Sequence, residues 1–147
     1  MDAETYRRAS GLLRMAAFLQ FTLPGAPCIY YGDEAGMTGY RDPFNRMFYP
    51  WGREDTALRD FYRALTALRK LPALRTGSVT VLDCGGGRFS FRRTLDGERT
   101  LFACCNRAHD WTLTSARGRL LLGGGIADYT PGRLTLATGG FAILEEA

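Results

Sequence analysis

Two stretches of the chain carry the hydrophobic spacing of amphipathic helices. Across residues 3–20, apolar side chains recur every three or four positions between charged ones, which predicts a helix. The second half of this stretch, residues 15–21, is apolar nearly all round, so we expect it to be buried on more than one side. A second helix is expected from the capping residue Asp55 to about Lys70, and Pro72 ends it.

A short apolar run lies between these two helices. Residues 28–31 do not alternate between apolar and polar side chains, which is typical of a strand buried on both faces of a parallel sheet. The chain offers no parallel neighbours for such a strand. From Gly32 to Gly52 there follows a loop rich in Gly, Asp, Pro, Asn and aromatic residues. Loops longer than about 15 residues inside a domain are usually functional.

Beyond Thr76 the pattern changes to short β segments separated by turns, and the hairpin signal Asp96-Gly97 lies between two alternating runs. Strands at this spacing predict an antiparallel sandwich. The fold class expected is therefore α+β, with a mainly helical region over residues 1–75 and an all-β sandwich over residues 76–147. Eight strands are predicted, over residues 78–83, 88–94, 99–106, 111–114, 118–122, 127–129, 133–136 and 141–145.

Length and composition exclude several classes of protein. With 147 residues, 46% hydrophobic and 23% charged, the chain has the composition of a globular protein. A complete eight-fold β/α barrel needs roughly 200 residues, so this chain is too short to form one. No apolar stretch reaches the roughly 18 residues of a membrane helix, and the first residues lack the pattern of a signal peptide. We expect a cytoplasmic protein with no membrane partner.

Charge and cysteine usage narrow the chemistry further. The net charge of +4 comes from scattered arginines rather than from a basic cluster, so no nucleic-acid partner is expected. No two cysteines have a CxxC spacing and His109 is the sole histidine, so we expect no metal and no cofactor. The sequence predicts four reduced, mostly buried thiols. Cys104 and Cys105 are adjacent in a strand, which places one in the core and the other partly exposed.

Residues 25–34 read Gly-Ala-Pro-Cys-Ile-Tyr-Tyr-Gly-Asp-Glu. This segment resembles glycoside hydrolase family 13, the α-amylase family, in which the pattern marks the eighth barrel strand and the start of its loop. Its continuation over residues 36–46 and 49–51 resembles the neopullulanase, cyclomaltodextrinase and maltogenic amylase group. Residues 68–70 and 74–77 are similar to the last barrel helix. The resemblance implies a remnant of a (β/α)8 barrel, its last helix–strand–helix, followed by the C-terminal sandwich of these enzymes.

The same resemblance implies a function. It identifies the chain as the C-terminal portion of a retaining glycosidase that hydrolyses α-1,4, and perhaps α-1,6, glucosidic bonds in maltodextrins, cyclodextrins or pullulan, so an α-glucan oligosaccharide is the expected partner. The nucleophilic Asp, the acid/base Glu and the stabilising Asp of the family lie in motifs that precede the matched segment. No catalytic residue is therefore assigned here, and the chain alone is expected to be inactive.

Asp42 and Arg46 are the candidate substrate-binding residues, because the resemblance implies that the matching pair contacts glucose hydroxyls. A carboxylate accepts hydrogen bonds from vicinal hydroxyls, and a guanidinium donates to them. The alternative is a local ion pair that stiffens the loop, and both roles are compatible. The adjacent acids Asp33 and Glu34 point away from each other, so for Glu34 we expect structural hydrogen bonding to backbone rather than catalysis.

Several aromatic residues of the loop have two interpretations. Tyr49 and Trp51 could stack on a sugar, but their position before a helix favours packing against the barrel rim. His109 lies in a predicted turn, where we expect a solvated side chain. The choice between stacking and packing stays open for three further residues, namely Tyr40, Phe44 and Phe48.

A second hypothesis is a non-catalytic glucan-binding or structural β-sandwich module. Such a module needs exposed aromatic residues on one sheet face, whereas most aromatics of the β-region lie at inward-compatible positions. No motif supports a complete small enzyme with unrelated chemistry. The apolar faces of residues 15–21, 28–31 and 58–68 would meet other barrel units in the family, so we expect self-association through them or their rearrangement against the sandwich.

Overall fold

The computed structural model describes residues 2–96 and 99–146, and within them three helices precede a six-stranded antiparallel sheet. The helices are α1 (Ala3–Thr22), α2 (Thr56–Leu68) and α3 (Pro72–Thr76), and a 3-10 turn covers Asp33–Ala35. The strands are β1 (Ser78–Gly85), β2 (Arg88–Leu95), β3 (Arg99–Asn106), β4 (Trp111–Leu113), β5 (Arg119–Thr130) and β6 (Arg133–Glu146).

Capping side chains set the starts of both predicted helices. The Asp2 carboxylate accepts from the Thr5 amide at 2.8 Å, and the Asp55 carboxylate accepts from the Leu58 amide at the same distance. Both predicted helices are confirmed. Pro72 ends the second one and also opens α3, which the sequence analysis did not predict, because the fixed φ of proline suits a first helical position.

The sheet has the order β1-β2-β3-β6-β4, and β5 pairs with β6 along most of its length. Its β6 strand pairs with β3 through residues 141–146 and with β4 through residues 134–136. Strands β2 and β3 form the predicted hairpin, with Leu95 opposite Arg99, while Gly97 of the predicted turn lies outside the described residues.

Six strands in the described residues replace the eight predicted ones, because two pairs of segments are continuous. Residues 118–122 and 127–129 merge into β5, and residues 133–136 and 141–145 merge into β6. The glycines between them bend the hairpin without breaking it. Gly125 has a φ of +61°, and a Cβ there would lie 2.8 Å from the Cα of Gly140.

The sheet carries a core on each face. We call the first the helix-side core. It packs α1, α2 and α3 against the strands, and its members include Met15, Phe18, Phe21, Leu58, Leu65, Leu74, Phe91, Ala103, Phe141 and Ile143. The second, the sandwich core, lies between the two parts of the bent sheet, and its members include Phe102, Cys104, Trp111, Leu134, Leu136, Ala142 and Leu144. The α+β class is confirmed, with barrel-type helices followed by an antiparallel β-domain.

Burial on both faces corrects the prediction for the cysteines. Cys105 belongs to the helix-side core and Cys104 to the sandwich core, so both thiols are buried rather than one. Burial raises the pKa of the Cys104 thiol to about 12. Cys28 and Cys84 are exposed, so the prediction of mostly buried thiols is wrong for half of the set.

Residues 28–31 form no strand in this chain. Ile29, Tyr30 and Tyr31 are exposed, because the described residues supply no parallel neighbour with which they could pair. The lack of parallel partners for this run, which the sequence indicates, is therefore confirmed for the described residues. The helices behave differently, since the apolar faces around Phe18 and Leu65 are fully buried against each other and the sheet. Of the three apolar segments for which we expect self-association or packing against the sandwich, residues 15–21 and 58–68 pack against the sheet, and residues 28–31 remain exposed.

Two arginines join the end of α1 to the rest of the molecule. Arg69 donates to the carbonyls of Phe21 and Leu23 at 3.0 and 2.9 Å, and also to that of Gly25. Arg93, 1% exposed, donates to the carbonyls of Thr22 and Gly77 at 2.9 and 2.8 Å. These cations occupy the negative end of the helix dipole and satisfy carbonyls that the helix leaves unpaired. None of the helices in the described ranges is long and apolar enough to span a membrane.

Candidate functional site

The long loop leaves the helical layer at a tightly packed glycine. Gly36 has a φ of +71°, and a Cβ there would lie within 3.0 Å of the Cβ of Asp55 and closer still to the Tyr6 hydroxyl. The Tyr6 hydroxyl donates to the Asp55 carboxylate at 2.7 Å, and the Asp55 amide donates to the Ala35 carbonyl at 2.9 Å. The start of the loop is thereby fixed to both α1 and α2.

The acidic pair lies in the 3-10 turn just before this glycine. The Glu34 carboxylate accepts from the Gly32 amide at 2.9 Å, a backbone hydrogen bond of the kind expected for a structural residue. Burial, with a smaller contribution from the Glu34 charge, raises the pKa of Asp33. Burial and these two carboxylates also raise the pKa of Tyr62 to about 12. Glu34 is thus bound to the backbone of its own turn, and Asp33 is partly buried beside it.

Asp42 and Arg46 form an ion pair at the outer end of the loop. The Arg46 Nε and the Asp42 Oδ1 are 2.8 Å apart, and the two side chains are 70% and 61% exposed. Residues 41–46 hold the pair through two turn hydrogen bonds, from Phe44 to the Arg41 carbonyl and from Arg46 to the Pro43 carbonyl, with a cis Asp42–Pro43 peptide. The local ion pair is present, and the predicted contact of both residues with substrate stays a prediction.

The same loop carries several aromatic side chains, most of which face solvent. Trp51 is 80% exposed and Phe48 99%, and packing of Trp51 against a barrel rim, the interpretation that the sequence favoured, stays a prediction. The Tyr49 and Trp51 rings lie 4.6 Å apart and form a small aromatic surface. The described residues contain no further element that would cover this side of the loop. Tyr40 and Phe44, whose role the sequence left open, are exposed as well.

A hollow of about 190 Å³ lies against the same loop, and its lining includes Tyr40 together with residues that the sequence analysis did not single out for binding. Tyr31 donates to the Met47 carbonyl at 3.0 Å and so holds the loop in place above it. Asn45 contributes a buried Oδ1 atom with no hydrogen-bond partner among the described residues. In the sequence, the one feature that could have pointed to this hollow is Asn45 within the segment Asp-Pro-Phe-Asn-Arg.

The β-domain offers no comparable surface. Phe91, Phe102, Trp111 and Phe141 are buried, and the remaining aromatics Phe89 and Tyr129 are partly so. His109 is exposed in a turn, as predicted, and the Asn106 side chain holds that turn by donating to the His109 carbonyl at 2.9 Å. Exposed aromatic and charged groups suited to sugars therefore concentrate in the loop.

Comparison with known proteins finds a matching family and similar sequences. The family described as "Alpha amylase, catalytic domain" matches residues 2–77. An amylopullulanase of Thermoanaerobacter thermohydrosulfuricus is 46% identical over 90 residues, which is 60% of this chain and 6% of that protein. A cyclomaltodextrinase of Geobacillus thermopakistaniensis is 37% identical over 103 residues, 67% of this chain and 17% of that protein.

Solved structures agree with the sequence matches. A debranching enzyme from Nostoc punctiforme superposes with a TM-score of 0.75 and 32% identity, covering 90% of this chain and 30% of that one. The chain thus spans less than a third of the length of each relative named here. The similarity reaches beyond the helical segment into the β-domain, which confirms the resemblance inferred from residues 25–51. With more than half of its residues matched by the family, the chain belongs to the alpha-amylase family.

Proposed function

We propose that the loop over residues 36–51 forms part of the α-glucan-binding site of an alpha-amylase-family glycosidase. The single observation that carries this proposal is the exposed Asp42–Arg46 ion pair, in a loop that also exposes the Trp51 ring. A carboxylate accepts from vicinal sugar hydroxyls, a guanidinium donates to them, and an indole covers the apolar face of a pyranose. Because Arg46 orients Asp42 before any ligand arrives, little side-chain ordering is required on binding.

The reaction proposed for the enzyme containing this loop is retaining hydrolysis of α-1,4 or α-1,6 glucosidic bonds in maltodextrins, cyclodextrins or pullulan. Support comes from the relatives, which are named amylopullulanase and cyclomaltodextrinase. In this reaction two carboxyl groups about 5 Å apart flank the bond, one as nucleophile and one as acid. The part proposed for this loop is to hold the sugar in register with those groups.

The 147-residue chain by itself is proposed to be inactive. Its adjacent acids Asp33 and Glu34 are turned into the 3-10 turn, and Glu34 accepts a backbone hydrogen bond there. Neither has a second carboxylate across a substrate cleft in the described residues. We expect no release of glucose or maltose from maltotriose or cyclodextrin by the purified chain. Sustained release at a rate that follows protein concentration would contradict this part of the proposal.

Binding is tested by titration calorimetry with maltotetraose. The loop alone should give weak, saturable binding, with a Kd in the millimolar range that corresponds to about −4 kcal/mol. Asp42→Asn should weaken binding by about tenfold, because charge-assisted hydrogen bonds contribute roughly 1.5–3 kcal/mol each. Asp128→Asn is the matched control, since it removes an exposed carboxylate from a remote Asp–Arg pair. Equal effects of the two variants would contradict the role of Asp42.

The alternative, a glucan-binding surface on the β-domain, has less support because its aromatic residues are buried or half-buried. Self-association is proposed through the part of the expected surface that stays exposed, residues 28–31. A concentration-dependent sedimentation coefficient that Tyr30→Ser abolishes would support it. A monomer at every concentration would contradict it.

A further inference from the structure

A groove of about 510 Å³ lies on the side of the molecule where α1 passes the glycine bend of the β5–β6 hairpin. Its first wall is the outer side of α1, where Gly11 leaves open space because a Cβ there would meet nothing within 4 Å. Its second wall is the backbone of Gly124, Gly125 and Gly139. Its volume is in the range of small-molecule sites.

Four guanidinium groups line this groove, and no carboxylate does so in the described residues. Arg7, Arg8 and Arg14 come from α1, and Arg107 comes from the turn after β3. None of the four takes part in an ion pair between described residues. Since like charges repel most where water is partly excluded, such a groove attracts a multivalent anion and is stabilised by it.

The floor of the groove adds an apolar surface. Phe61 and Phe141 are buried below it, edge to face with their ring centroids 5.6 Å apart, and the accessible apolar surface comes from Leu12, which is 40% exposed. The Arg14 guanidinium lies 5.1 Å above the Phe61 ring, which fixes one cation at the edge of this floor. A ligand with a charged head and a compact organic body matches both features, whereas a bare anion would leave the floor uncovered.

We propose that this groove binds a small phosphate monoester. The guanidinium fork matches phosphate oxygens in pairs, and several such forks suit the dianion better than a single carboxylate. The organic body packs on the exposed Leu12 side chain. The site is separate from the loop over residues 36–51 and does not depend on the function proposed for that loop.

The test is titration calorimetry of the full chain at low ionic strength with glucose 6-phosphate, AMP, inorganic phosphate and glucose. We expect saturable binding of at least one monoester, weaker binding of inorganic phosphate, and none of glucose. The difference in affinity between glucose 6-phosphate and AMP shows whether the groove prefers a sugar or a nucleoside as the organic part of the ligand. Binding of no monoester, or equal affinity for inorganic phosphate and both monoesters, would overturn the proposal.

Two kinds of variant locate the site. The double variant Arg7→Gln/Arg107→Gln removes one cation from each wall and should weaken monoester binding at least about tenfold. Gly11→Met keeps every charge and fills the groove, and it should weaken the monoester more than it weakens inorganic phosphate. Arg75→Gln, an exposed arginine remote from the groove, is the control and should change nothing. An equal loss of monoester affinity in the control and in the double variant would show that the anion is attracted nonspecifically by the positive charge of the chain, and would refute the site.

Discussion

Replacing Phe18 by alanine tests whether the barrel-type helices are docked on the β-domain within this chain. Phe18 is fully buried, and its ring lies 4.9 Å from that of Phe141 on β6. Truncation removes the ring from the helix-side core and leaves a cavity at the contact between helix and sheet. Phe→Ala changes at such sites cost about 3–5 kcal/mol, of which the aromatic pair contributes roughly 1 kcal/mol.

That cost is a large fraction of the total stability, which for a domain of this kind is about 5–15 kcal/mol. The measurement is urea unfolding followed by far-UV circular dichroism for the helices and by fluorescence of Trp111, a member of the sandwich core. Both signals should shift together to lower urea. Phe48→Ala, at a ring that is 99% exposed, is the control and should change stability by less than about 0.5 kcal/mol. A loss below about 1 kcal/mol for Phe18→Ala would refute the docking of α1 on the sheet.

Three further predictions follow from individual contacts. Arg93→Met should lower the free energy of unfolding by about 2 kcal/mol, because two buried carbonyls lose their donor, and an unchanged urea midpoint would contradict this. Tyr6→Phe should cost about 1 kcal/mol at neutral pH. Burial raises the pKa of Asp55, but hydrogen bonds from Leu58 and Tyr6 outweigh burial, so the pKa is lowered overall. The stability that the Asp55 carboxylate contributes is therefore present above pH 3.8 and is lost as the pH falls below that value. The loss of unfolding free energy caused by Tyr6→Phe should therefore be smaller in acid than at neutral pH. An equal loss in acid and at neutral pH would contradict this role of the Tyr6–Asp55 hydrogen bond. A thiol reagent should modify Cys28 rapidly and Cys104 only after unfolding; fast modification of Cys104 in the native chain would show that the sandwich core is open.

Local signals were sufficient to predict α1 and α2, although not the short α3. Asp55 and the apolar spacing after it define α2, because a capping side chain and a 3.6-residue period act over a few positions. Residues 28–31 form no strand for the opposite reason. Its apolar pattern matches a parallel sheet, but strand pairing depends on partners distant in sequence, which the described residues do not supply.

The candidate site was predictable to a similar extent. The spacing of Asp42 and Arg46 allowed an ion pair, and the structure contains it. The exposure of Trp51 was not predictable, because burial depends on which elements cover the loop. The arginine-lined groove could not be inferred at all, since Arg107 and Arg7 are separated by a hundred positions and meet only after the sheet has folded.

The central claim is that the loop over residues 36–51, and not the β-domain, contacts the glucan. Amide hydrogen exchange with and without maltotetraose at about 10 mM, where a millimolar complex is mostly formed, tests it most directly. The account predicts slower exchange confined to residues 36–51 and the adjoining 3-10 turn. Protection located in β1 to β6, with the loop unchanged, would contradict the account and assign glucan binding to the sheet.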